Sequence, residues 1–530
     1  WNSSQNPFGI RDNVARILGL KSSQIKLIPL EIGGGFGGKN STYIEGVAAA
    51  LSKKCGRPVS ISLSRIEVME ATGPACGSYM KLKIGATKDG RIVAAQAYLA
   101  FEAGAYPGAP IGGATSCMFT PYDIPNILID GYDVVNNKPK TAAYRAPGAP
   151  IAAFPTEALL DELSEKLGMD PVDFRLLNAA KEGTRRADGT LSPLVGGIEI
   201  LEAVKAHPHY NAPLPGKNQG RGVAFGYWRN NSGPSCAIAN VNPDGTIMLV
   251  EGSVDIGGSR TAVAQQLAEV LGIPVTDVFP EVGDTDSIGY TSLTAGSGVA
   301  FKTGWAVYEA AHDIIRQLIQ RAAMIWEASP DDVEYVKGAL QHKSDPELKL
   351  TFKQITPRLI ETGGPVVGRG NVNPRGVGAS LAATLVDVEV DPETGKTQVL
   401  RCTAFQDAGK AVHPSYVEGQ LQGGTVQGLG WALNEEYFMS DDGQMLNSSF
   451  LDYRMMTSLD LPMIDTVVVE VANPGHPFGV RGIGEGNLVP VMAAVANSVY
   501  HAIGKRINEL PLSPGAIMDA IEGNGNTTST

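Results

Sequence analysis

Apolar residues recur at intervals of three and four in "RDNVARILGL" (11–20), "IEGVAAALSKKCG" (44–56), "PTEALLDELSEKLGMDPVDFRLLNAA" (155–180), "TAVAQQLAEVLG" (261–272), "TGWAVYEAAHDIIRQLIQRAAMIW" (303–326) and "MAAVANSVYHAIG" (492–504). That period predicts amphipathic helices whose apolar stripe faces a core. A different period appears in "KLKIGATKDGRIVAAQAYL" (81–99), "SCAIANVNPDGTIMLVEGSV" (235–254) and "ATLVDVEVDPETGKTQVLRC" (383–402). Each consists of two alternating runs around a D-G or T-G pair, which predicts a β-hairpin. The β-rich run "IKLIPLEI" (25–32) predicts a further strand, leading into the glycine cluster "GGGFGGK".

Hairpins mixed with helices, without regular β-α-β alternation, predict an α+β protein. At 530 residues the chain exceeds a single core, so two domains are expected. The least periodic stretch, "AHPHYNAPLPGKNQGRG", places the linker at 206–222, between a first domain at 1–205 and a second at 223–522, with a disordered tail at 523–530. The chain opens "WNSSQNPF" without an initiating Met, which suggests a processed or split piece.

Composition narrows the partners. A net charge of −12 and the lack of any dense Lys/Arg cluster argue against nucleic acid. The longest apolar stretches are too short and broken to span a bilayer. Five scattered cysteines, with no C-x₂-C pair, provide no ligand set for zinc or an iron–sulfur cluster and fit a reducing, cytoplasmic setting. The seven histidines form no metal-binding pattern, and no G-x-S-x-G elbow marks a hydrolase.

Chemistry concentrates in glycine-rich turns. Gly33, Gly38 and Lys39 fall at the Gly, Gly and Lys positions of a phosphate-binding loop, but the Mg²⁺-ligating Ser/Thr is replaced by Asn40. Five more turns carry one or two polar groups each: 142–150, 254–261, 293–298, 418–430 and 479–487. Six such turns suggest backbone amides gathered around one large polar ligand. Glu485, flanked by glycines in "GIGEG", is a candidate general base. Equally, it could complement the dipole of the helix that follows. Arg145 could clamp an anion bidentately or bond loop carbonyls.

Taken in order, "IGGGFGGK", "AYRAPG", "DAGKAVHP", "GQLQGGTVQGLGWALNEE" and "GIGEG" resemble the molybdenum-binding large subunit of the xanthine oxidase and aldehyde oxidoreductase family, over nearly the whole chain. The resemblance implies two α+β domains with a molybdopterin cofactor, in its cytosine dinucleotide form, held between them. It implies Gln5 beside an oxygen on molybdenum, and Phe36 with Gly35 and Gly37 against the metal centre and pterin. Arg145, Gly296, Ser297 and Gln420 match cofactor-contacting positions, and Glu485 matches the catalytic base. No side chain ligates the metal in that family. The turn "DIGGSRT" lacks the usual Gln, leaving Gly258 and Ser259 as stand-ins.

The implied reaction is hydroxylation of an electron-poor carbon, in an N-heteroaromatic or aldehyde-type small molecule, with oxygen derived from water. Asn40, Ala146 and the lack of an Arg ahead of "YDIPNI" disfavour a purine, and Ala146 in place of a cysteine disfavours carbon monoxide. Partner chains carrying [2Fe–2S] clusters and FAD are implied, with a chain or segment supplying the family's further N-terminal portion. A reductive dehydroxylase of the same family and a cofactor-free assembly paralogue remain the alternatives.

Overall fold

The computed structural model describes residues 1–523; of the expected disordered tail, residues 524–530 lie outside the described residues. Two compact units are each assembled from separated stretches: Trp1–Ile61, Asn231–Val377 and Pro474–Gly482 in the first, Ser62–Asn230, Gly378–Asn473 and the chain from Ile483 onward in the second. Both mix helices with sheets, as an α+β chain should. The segment 206–222 lies inside the second unit, leading from the helix Gly197–Ala206 into the strand Gln219–Trp228.

In the first unit, a four-stranded sheet runs in the order Val367–Val372, Ser235–Val241, Ile247–Glu251, Val278–Val282. Its apolar face is covered by the helices Ser259–Leu271 and Val299–Trp326, whose Val263, Leu267, Val307 and Ile314 are fully buried. The long helix comes unusually close to the edge strand. A Cβ on Gly370 would sit 1.8 Å from Ala306 O, and one on Gly368 would sit 2.2 Å from Ala310 O. Glycine in a strand often marks such a backbone approach. Here it seats the helix on the sheet at Ala306 and Ala310.

The second unit has a three-stranded sheet, Ser78–Ala86, Ile92–Gly104 and Ile127–Val135 in that order, and a four-stranded sheet. The latter is ordered Ile464–Val469, Thr397–Asp407, Ser380–Val390, Gln219–Trp228. All three expected hairpins form as antiparallel pairs. Glycines again seat a helix: Cβ atoms on Gly220 and Gly222 would lie 2.1 and 2.0 Å from the carbonyl oxygens of Ser498 and Ala494. The helix Val491–Ile503 therefore rests on the sheet backbone, buried from Val491 through Val499. Residues 484–488 lead directly into it.

Two local expectations fail. The run "IKLIPLEI" joins no sheet; it is extended, with a single bridge between Pro29 and Asn2. Asn2 pairs with Ile28 and Leu30 but the pairing goes no further among the described residues, and Pro29 has no N–H to donate. The stretch 418–430 is no turn but the middle of a 20-residue helix, Pro414–Leu433, started by Pro414 at N1 and a His413 side-chain cap. Interior glycines disfavour a helix by about 1 kcal/mol each relative to alanine. Close packing overrides that preference: Cβ atoms on Gly424 and Gly428 would collide with Asn487 and Val491 at 2.2 and 2.4 Å.

Candidate active site

The site residues of the first unit belong to three turns. Gln5, 4% exposed, is a staple between two of them. Its Oε1 accepts from the N–H groups of Gly37 (3.0 Å) and Lys39 (3.2 Å), and its Nε2 donates to Thr294 O at 2.9 Å. Its backbone adds bonds to Lys39 O and from Thr294 N. Gly35 must lack a side chain, since a Cβ there would sit 2.4 Å from Gln5 Oε1.

Phe36 is held at φ 50° between Gly34 at 109° and Gly37 at 105°, with its ring 42% exposed. A non-glycine residue in the left-handed region costs on the order of 1–3 kcal/mol and clusters at ligand sites. An aromatic ring set out on such a turn is a contact surface.

The other two turns each precede a helix. Gly257 and Gly258 are both left-handed, at 66° and 80°, before the helix Ser259–Leu271. Asp255 caps that helix, accepting from Ser259 Oγ and Arg260 N, both at 3.1 Å. The hydroxyl hydrogen of Ser259 is thus engaged inside the turn. Gly296 and Ser297, at 62° and 58°, precede the helix Val299–Trp326. Helix N-termini preceded by left-handed turns favour anions through oriented amides and the helix dipole.

In the second unit Arg145, 3% exposed, ties its own turn to two other segments. Its Nε donates to Gly484 O (2.6 Å), Nη1 to Gln427 Oε1 (2.9 Å), and Nη2 to Gln420 O (3.0 Å) and Gln420 Oε1 (3.2 Å). Burial lowers its pKa to about 10, with the charges of Glu485 and Tyr144 opposing. Arg145 thus bonds the carbonyls of Gly484 and Gln420 and the side chains of Gln420 and Gln427.

Glu485 is half-buried, and its Oε1 accepts from Ala146 N at 2.9 Å. Its side chain makes no capping bond to the Gly486–Leu488 turn it precedes. Ala146 is itself left-handed, at φ 55°, and fully buried, so its amide is aimed by a strained turn. Asn487 donates to Gln420 O, fixing the same loop to the helix Pro414–Leu433.

Gln427, Asn487 and Thr294 escaped the sequence reading. Gln420, Gly424 and Gln427 lie at i, i+4 and i+7, one stripe of a helix. The signal was legible, but the five glycines read as a turn. The donors of the first unit's turns are the Gln5 amide and backbone N–H groups. Among the described residues no group of three or more His, Cys, Asp or Glu could hold a metal ion. Oriented backbone amides of this kind suit a phosphate-bearing organic ligand.

The molybdopterin cofactor-binding domain matches twice, over residues 1–179 and 200–462. The chain is 31% identical to the xanthine dehydrogenase molybdenum-binding subunit of Escherichia coli O157:H7, spanning 97% of this chain and 71% of that one. It is 27% identical to the nicotine 6-hydroxylase large subunit of Paenarthrobacter nicotinovorans, over 99% and 69%. Its fold superposes on quinoline 2-oxidoreductase from Pseudomonas putida 86 with a TM-score of 0.91, covering 98% and 72% at 24% identity.

Fold, turns and matches define a molybdopterin-binding oxidoreductase subunit. The chain belongs to the family of molybdenum-binding large subunits of the xanthine dehydrogenase and aldehyde oxidoreductase type. Among the described residues, no helix is long and apolar enough to cross a membrane.

Proposed function

We propose that this subunit hydroxylates an electron-poor carbon of a small N-heteroaromatic or aldehyde-type substrate, using oxygen derived from water. The observation that carries this reading is the half-buried Glu485 carboxylate, fixed by the Ala146 amide beside a buried guanidinium. A positioned carboxylate of this kind suits proton acceptance in the transition state.

In this reading the turns at 35–37, 258–259 and 296–297 hold a molybdopterin, through backbone amides at helix N-termini and the Phe36 ring. Gln5 holds the first and third of these turns in register and has a second amide hydrogen to offer the cofactor. When bound, the cofactor supplies the two-electron redox chemistry. Arg145 keeps Gln420, Gln427 and the 484–487 loop in register, and Glu485 takes up the proton. Electrons leave through partner subunits carrying [2Fe–2S] clusters and FAD. The pterin is the cytosine dinucleotide form, and the assembly works in the cytoplasm.

The test is purification of the complex from molybdate-replete cells, followed by metal and pterin analysis and assays on quinoline-type heterocycles and aromatic aldehydes. Molybdenum, cytosine dinucleotide and turnover with either class are expected. Purified protein without molybdenum would sink the reading. Turnover in which the new oxygen comes from O₂ rather than labelled water would sink the hydroxylation chemistry.

A further inference from the structure

The turn 292–298 ties the other turns of the first unit together, and it is itself held from beneath. Thr294 exchanges bonds with Gln5, and its Oγ1 donates to Val254 O at 2.8 Å, at the start of the 254–259 turn. Gly296 O accepts from Asn231 N at 2.7 Å. Below lies Lys302, in the first turns of the helix Val299–Trp326 and 2% exposed. Its Nζ donates to Ser292 O (2.9 Å), Ser292 Oγ (2.6 Å) and Leu293 O (2.8 Å). Those three bonds use every hydrogen of an ammonium group.

A buried ammonium is expensive to desolvate, and these three acceptors offset that cost. Glu251, fully buried at the end of the strand Ile247–Glu251, is an acid whose charge, when it is ionised, acts on Lys302. Neither of its oxygens accepts a hydrogen bond from the protein. Asp255, Arg260 and Lys302 are the charges that act on it in turn. An apolar residue could fill the volume of Lys302 without any such arrangement. What it could not do is satisfy two turn carbonyls and a hydroxyl at once.

We infer that Lys302 is the positioning residue that sets the turn 292–298. Through Thr294 it also sets the Phe36 and Gly258 turns, in the geometry that receives the cofactor. This rests on the reading of those turns as the cofactor cradle. The role is one step removed from the cofactor, and it explains why a charge is kept inside this core.

The experiment compares Lys302→Met and Ser292→Ala with the wild-type complex, measuring hydrogen exchange of the amides in 35–39 and 293–298 and the rate of pterin loss on dilution. Ser292→Ala removes one acceptor and leaves Lys302 in place. A core control, Ile314→Val, loosens the same helix away from the turn. Exchange in both turns should quicken by at least about fivefold in the two test variants, with local opening made easier, and pterin should dissociate faster. The control should leave both turns unchanged.

Turn exchange within about twofold of wild type in Ser292→Ala would overturn the inference, even if Lys302→Met fails to accumulate. Equal quickening in Ile314→Val would also overturn it, as a sign of general loosening. A wild-type complex without pterin would instead sink the cofactor reading, while the exchange data still decide the role of Lys302.

Discussion

The backbone N–H of Ala146 donates to Glu485 Oε1 at 2.9 Å, joining residues 339 positions apart in the chain. Ala146 is aimed by its left-handed turn, and the next residue back, Arg145, bonds the carbonyl of Gly484. One short segment therefore orients both the carboxylate and the loop that bears it.

If Glu485 is the base, Glu485→Gln keeps its shape and its bond to Ala146 but cannot accept a proton. Turnover per molybdenum should fall by about 10²–10⁴, the range for a lost general base, with cofactor content unchanged. Steady-state kinetics on metal-quantified enzyme checks this. Turnover within about threefold of wild type, a barrier change under ~1 kcal/mol, would rule the role out.

Arg145→Met should destabilise the protein by roughly 3 kcal/mol, because several buried acceptors lose their donor at about 1–3 kcal/mol each. Denaturant titration measures it. A loss below about 1 kcal/mol would mean that the clamp on Gln420, Gln427 and Gly484 is not what holds this loop.

Two glycines of one helix should respond with opposite signs. A Cβ on Gly424 would lie 2.2 Å from Asn487 Oδ1, whereas one on Gly419 meets nothing within 4 Å. Gly424→Ala should cost about 1–3 kcal/mol as an overpacking change and lower turnover by displacing the 484–487 loop. Gly419→Ala should stabilise by up to ~1 kcal/mol through helix propensity alone. Thermal melts of both variants decide it, and a like-signed pair would refute the packing account.

Burial raises the Glu251 pKa to about 8, with Asp255 reinforcing and Arg260 and Lys302 opposing, from an ordinary value of 4.5. The folded protein therefore binds this proton more tightly than the unfolded chain. The stability it contributes is fully present below pH 4.5 and is lost as pH rises through about 8. Burial lowers Lys302 to about 8, so its contribution changes between there and its ordinary 10.5, above the Glu251 window. The stability difference between wild type and Glu251→Gln should thus be largest near pH 5 and shrink toward pH 8. Melts across that range test it, and a constant difference would show that Glu251 does not titrate there.

Much of this protein was written locally. Helical spacing marked the helices ending at Leu167, Leu271, Trp326 and Ile503, and the D-G and T-G pairs marked all three hairpins, because both signals act over a few residues. The glycine turns and Glu485 stood out for the same reason. What required the tertiary structure was whatever depends on distant neighbours. The glycines at 419–430 form a helix because Asn487 and Val491 press against it, and "IKLIPLEI" is no strand because its pairing stops at a single bridge to Asn2. Arg145 became a clamp, and Lys302 a buried anchor, only once their acceptors were placed around them. Periodicity and turn chemistry are properties of a segment, whereas desolvation, hydrogen-bond satisfaction and close packing belong to residues that only folding brings together.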